Sequence, residues 1–208
     1  MEAAGVSGVV AHGAREANAV ALTFDDGPGR STEEILTLLE QHDAHATFFM
    51  VGSQAERFPH MARRVVAAGH EVGSHTFSHL DHQAVAPHEA VADMVAGAEA
   101  IAGVLGFEPR LYRAPYGHFV PETTAEAERR DWTCVFWSAL GFDWEDEATP
   151  RSVADRVLAD LAPGTIVLLH DARRAKPMDP EPVTGATAIL LDEIARRGLR
   201  AVAVGDIL

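Results

Sequence analysis

Seven short apolar runs separated by helical stretches constrain this chain more than any other feature. They span 19–24, 46–51, 70–73, 111–113, 133–137, 165–169 and 199–204. Between them the punctuation is helical. Ser31 and Glu34 form a capping-box pattern ahead of Ile35, Leu36, Leu38 and Leu39. Residues about 54–68 read as one helix with Pro59 near its start. Pro87, Pro121 and Thr149-Pro150 open further helices, and Gly106 and Gly198 stop two of them. A strand followed by a helix, repeated this often, requires parallel strands joined by crossover helices. A closed or nearly closed barrel is then as natural as an open sheet. The 208 residues suffice for one core. Residues 1–18 read as an N-terminal tail and 19–208 as one domain.

Composition removes several functions. With 17 basic and 31 acidic residues the net charge is −14, which repels phosphate backbones and excludes general nucleic-acid binding. No apolar run is long enough for a membrane span. The sequence as written has no basic, apolar leader; as written it reads as cytoplasmic, a chain whose leader had been removed would look the same, and the location stays open. One cysteine, Cys134, cannot make an intrachain disulfide. No protein partner is implied.

The chemistry lies just after the strands. Asp25-Asp26 follow the first, His75 and His79 the third, Arg113 and Pro115-Tyr116-Gly117 the fourth, Asp143-Trp144 the fifth and His170-Asp171 the sixth. In a parallel barrel these ends share one face. His75 and His79 are four apart, so a helical turn would put both on one side. Two imidazoles and a carboxylate, Asp26 or Asp25, make a catalytic metal set with open positions. The other carboxylate could take a proton from a metal-activated water, with Arg113 orienting it. His170, from another strand, could protonate a leaving group. Each piece also has a plainer reading. An Asp-Asp-Gly-Pro run is ordinary turn chemistry, Arg113 could be a rim ion pair, and Trp144 could be core. Their joint placement at successive strand ends favours a site. His118, close to Tyr116, is a candidate substrate contact, while His12, His42, His45, His60, His70, His82 and His88 read as surface or structural.

The ordered set Thr23-Phe24-Asp25-Asp26-Gly27-Pro28, His75-Thr76-Phe77-Ser78-His79, Arg113-Ala114-Pro115-Tyr116-Gly117, Asp143-Trp144 and Leu168-Leu169-His170 resembles the polysaccharide deacetylases. These are the family four carbohydrate esterases, or NodB-homology domains. The resemblance covers residues 19–208. It implies a deformed (β/α) barrel of about seven parallel strands and removal of N-acetyl, sometimes O-acetyl, groups from an amino sugar. It further implies that Asp26, His75 and His79 hold a divalent ion, usually Zn2+ and sometimes Co2+. Asp25 would be the base, Arg113 its orienting partner, the Tyr116 N–H an oxyanion donor and His170 the acid. Pro115, Tyr116, Asp143, Trp144 and Leu168 would line the substrate pocket. Leu140 stands where many members carry an Asp that tethers the acid histidine, which leaves Asp143 or another carboxylate to do so. The alternatives are a relative acting on another non-peptide C–N bond and a silent sugar-binding module. The 172–183 segment, with Arg173, Arg174 and Lys176, is expected to shape substrate choice.

Overall fold

The computed structural model describes residues 8–172 and 181–208. In chain order the strands are β1 Val9–Val10, β2 Ala19–Asp25, β3 Thr47–Met50, β4 Glu71–Ser74, β5 Leu111–Tyr112, β6 Thr133–Val135, β7 Ala139–Leu140, β8 Ile166–His170 and β9 Arg200–Val202. The helices are α1 Thr32–Gln41, α2 Gly52–Arg57, α3 Pro59–Ala67, α4 Pro87–Leu105, α5 Pro121–Arg129, α6 Pro150–Ala159 and α7 Glu181–Arg196. All strand pairings are parallel, in the order β1-β6-β5-β4-β3-β2-β8-β7, with β9 also on β2. The sheet curls into a partly closed barrel. Residues 133–140 run from β6, paired with β5, to β7, paired with β8, and so bridge its two flanks. This is the expected deformed (β/α) barrel.

Alternation along β2 creates two layers. Val20, Leu22 and Phe24 pack outward with Ile35, Leu39, Val153, Val157, Leu190 and Ile194 of the surrounding helices. Ala19 and Ala21 face inward with Phe49, Val135 and Ile166. Thr23 and Asp25 continue that inner face to the C-terminal end of the strand. All seven residues of β2 are buried, as a parallel strand covered on both faces must be.

Several expectations are corrected. Val9–Val10 pair with Cys134 and Val135, so the tail expected through residue 18 contributes a strand. The helix expected over 54–68 is two helices. Phe58 leaves helical geometry at φ −125° and ψ 56°, and Pro59 restarts the chain at the first position of α3. Ser31 precedes α1 but its side chain makes no cap. Thr32 instead accepts the Gly29 N–H at 2.7 Å and donates to Asp171 at 2.5 Å. Most of the 172–183 segment, including Arg173, Arg174 and Lys176, lies outside the described residues.

Candidate active site

Two adjacent carboxylates start the site and point to different partners. Asp25 ends β2 on the inner face. Asp26 turns out of the strand with φ 75°, in the left-handed region that Asp tolerates. Asp25 Oδ1 accepts from Arg113 at 2.8 Å. Arg113 is the largest fully buried side chain and its charge is met on every side. It also donates to Thr23 Oγ1 at 2.7 Å, to the Phe136 carbonyl at 2.9 Å and to the Val135 carbonyl at 3.3 Å. Its guanidinium lies 4.0 Å from the Phe49 ring centre.

Asp26 faces the histidines. Its Oδ1 lies 3.1 Å from His79 Nε2 and 3.6 Å from His75 Nε2, yet this buried atom has no hydrogen bond among the described residues. One carboxylate oxygen and two imidazole nitrogens thus lie within 4.8 Å of one another. His75 Nδ1 meets the Arg113 carbonyl at 2.8 Å. A carbonyl only accepts, so Nδ1 carries the proton and Nε2 presents a lone pair to the cluster. Burial pushes the His75 pKa down, against the pull of the Asp25 and Asp26 charges, and so favours the neutral ligand form. Burial works to raise the Asp26 pKa, but the contact with His79 and the charges of His170, His79 and His75 bring it to about 2. An orphaned, ionised oxygen facing two imidazoles fits a divalent cation.

The helical turn expected to join the two histidines is absent. Residues 75–79 form a loop in which Thr76 and His79 take positive φ values of 65° and 60°. Asp93 of α4 fastens it: its carboxylate accepts the Ser78 N–H at 2.9 Å and the Ser78 hydroxyl at 2.5 Å. Gly97, one turn further on, lets the helix touch the loop. A Cβ there would lie 2.5 Å from the Thr76 oxygen and 2.7 Å from the Phe77 nitrogen.

Across the barrel, His170 ends β8 in direct register with Asp25. Its Nδ1 lies 2.9 Å from Asp143 Oδ1, and its backbone N–H donates to Asp143 Oδ2 at 2.8 Å. Asp143, expected either to line the pocket or to tether His170, commits both oxygens to His170. Burial alone would lower the His170 pKa. The charge and hydrogen bond of Asp143, with help from Asp26 and Asp25, raise it to about 9. Trp144 sets its ring edge-on to His170 at 5.1 Å. Leu168 is buried on the same inner face of β8, beside Thr23. Pro115 is buried, whereas Tyr116, at φ 58°, is 61% exposed and lies edge-on to His79 at 4.8 Å. His118 lies beyond Tyr116, at 5.8 Å between ring centres.

A model of the polysaccharide deacetylase family matches residues 12–135. The chain belongs to the polysaccharide deacetylase family. This deacetylase-family chain is 38% identical over 171 residues to a chitooligosaccharide deacetylase of Bradyrhizobium sp. (strain ANU 289), covering 81% of this chain and 77% of that one. It is 35% identical over 152 residues to a peptidoglycan-N-acetylglucosamine deacetylase of Bacillus cereus, covering 73% of this chain and only 55% of the relative's length. The crystal structure of the Bc1960 peptidoglycan N-acetylglucosamine deacetylase superposes with a TM-score of 0.89 at 29% identity, covering 97% of this chain and 92% of that one. Within the family barrel, one positioning residue escapes a motif search. Asp93 is one acidic residue in a long helix, and only the close packing of α4 on the 75–79 loop reveals it. Thr23 opens the first motif, and its bond to Arg113 gives it a task.

Proposed function

We propose that this chain is a metal-dependent hydrolase that removes N-acetyl groups from an amino-sugar oligosaccharide or polysaccharide. One observation carries the reading. Asp25 and Asp26 are neighbours in sequence, yet one is held by Arg113 and the other faces His75 and His79. That is the division of labour between base and ligand which amide hydrolysis needs. The deacetylase relatives support the choice of acetylated amino sugars.

Asp26, His75 and His79 would hold the cation. A bound divalent ion, Zn2+ or Co2+, would polarise the acyl carbonyl and lower the pKa of a water molecule. Arg113 fixes Asp25 Oδ1 and leaves Oδ2, 3.7 Å from His75 Nε2, to accept the proton of the attacking water. The Tyr116 N–H donates to the developing oxyanion. His170 keeps Nδ1 on Asp143 and delivers a proton from Nε2 to the departing amine as the C–N bond breaks. Leu168, Trp144 and Pro115 enclose the acetyl methyl. The products are acetate and a free amino sugar.

The test is acetate release from N-acetylglucosamine oligomers by protein loaded with zinc or cobalt, with Asp25→Asn as control. Release that the control abolishes supports the reading. No release from protein holding one ion per chain would sink the acetyl-sugar assignment and move the substrate to another amide.

A further inference from the structure

A polar pair at the mouth of the site has no part in the reaction described above. His118 Nδ1 lies 2.7 Å from Asp81 Oδ1. The same Asp81 oxygen accepts the Gln83 N–H at 3.0 Å, so the carboxylate is oriented from its own loop. The two side chains are 37% and 35% exposed. Each is ordered at one end and open at the other. Among the described residues, Asp81 Oδ2 and His118 Nε2 make no hydrogen bond. Tyr116 lies 4.8 Å from His79 and 5.8 Å from His118 between ring centres. Successive contacts thus link His79 to Tyr116, Tyr116 to His118 and His118 to Asp81.

An exposed ion pair adds little stability, about 0–1 kcal/mol, so holding the fold together explains this arrangement poorly. An exposed aromatic face beside two oriented polar atoms is what a sugar ring requires. Its C–H face packs on the aromatic, and its hydroxyls both donate and accept. We propose that Tyr116, His118 and Asp81 form a subsite for the uncharged sugar residue next to the one that loses its acetyl group. This rests on the deacetylase reading above. Asp81 Oδ2 accepts from one hydroxyl, and His118 Nε2 pairs with its neighbour. An anionic sugar gains nothing there, because the Asp81 carboxylate offsets any charge on His118.

The experiment compares kcat/KM for N-acetylglucosamine oligomers of two to five residues in the metal-loaded wild type, His118→Ala and Asp81→Asn. A calorimetric Kd for the same oligomers on each protein gives a second readout that does not need turnover. The wild type should gain affinity and kcat/KM with chain length. His118→Ala should lose about tenfold on the longest oligomer and flatten that gain. Asp81→Asn keeps an acceptor for Nδ1 and should retain most of it. A loss in His118→Ala that is equal at every length, or no loss, would overturn the subsite and leave the pair a clasp between two loops. Absence of acetate release from any oligomer in the wild type would sink the deacetylase reading instead. The length dependence of Kd would still decide the subsite.

Discussion

Asp143 holds His170 at two points, the backbone N–H at 2.8 Å and the imidazole Nδ1 at 2.9 Å. The carboxylate fixes the ring's tautomer and raises its pKa to about 9, against the downward pull of burial. Leu140 is paired with Leu168 in the sheet. Asp143, three residues further on, is the carboxylate that meets His170.

A general acid must be protonated, so rate is lost as pH rises through its pKa. Asp143→Asn removes the charge that raises the His170 pKa. The basic limb of kcat should move down by about one pH unit or more. An unchanged limb would remove Asp143 from the acid's control.

The adjacent aspartates should fail differently. Asp26→Ala should lose bound metal, read by elemental analysis of dialysed protein. Asp25→Asn should keep it and lose about 100-fold or more in kcat. Full turnover in Asp25→Asn would show that the base lies elsewhere.

Gly97→Ala sets two effects against each other. Alanine normally gains about 1 kcal/mol over glycine inside a helix. Here the new methyl would stand 2.5 Å from the Thr76 oxygen and 2.7 Å from the Phe77 nitrogen, both backbone atoms. The clash wins, with an expected net loss of about 1–3 kcal/mol in denaturant unfolding and weaker metal binding. A more stable variant would contradict the packing of α4 on the loop.

Asp171 is fully buried behind Gly27, and its Oδ1 has no partner among the described residues. Burial, with the Asp26 and Asp25 charges, pushes its pKa up to about 7, against the hydrogen bond from Thr32. The folded value is raised above the unfolded one. The contribution of this group to stability is therefore full below about pH 4 and is lost as pH rises through about 7. Asp171→Asn in metal-free protein should raise Tm at pH 8 and leave it unchanged at pH 4. An equal shift at both pH values would show that ionisation is not the cause.

The strands that carry chemistry were legible because each is a buried apolar run ending in a polar group, as in 19–25 and 166–170. β1 and β7 were not legible. Each has two residues, too few for any periodicity, and exists only because β6 and β8 offer edges to it. The ligand set was legible from residue types, but the route to it was not. Spacing suggested a helix between His75 and His79, whereas Asp93 and two residues of positive φ hold a loop there. Asp143 was open to two duties, lining the pocket or tethering His170, because sequence places a carboxylate near a pocket without saying which atoms it faces; the contacts with His170 fit the second.

β2 is hydrogen-bonded to β3, β8 and β9 and buried along its whole length, and it delivers Asp25 and Asp26. β5, which leads into Arg113 and Tyr116, has two residues, one register pair with β4 and two with β6. Amide exchange should therefore be slowest under the two aspartates, where opening requires unfolding the whole protein. Around Tyr116 a local opening is enough. The two sides of the cleft thus differ in how much sheet holds them, and the side expected to open first is the one that carries Tyr116.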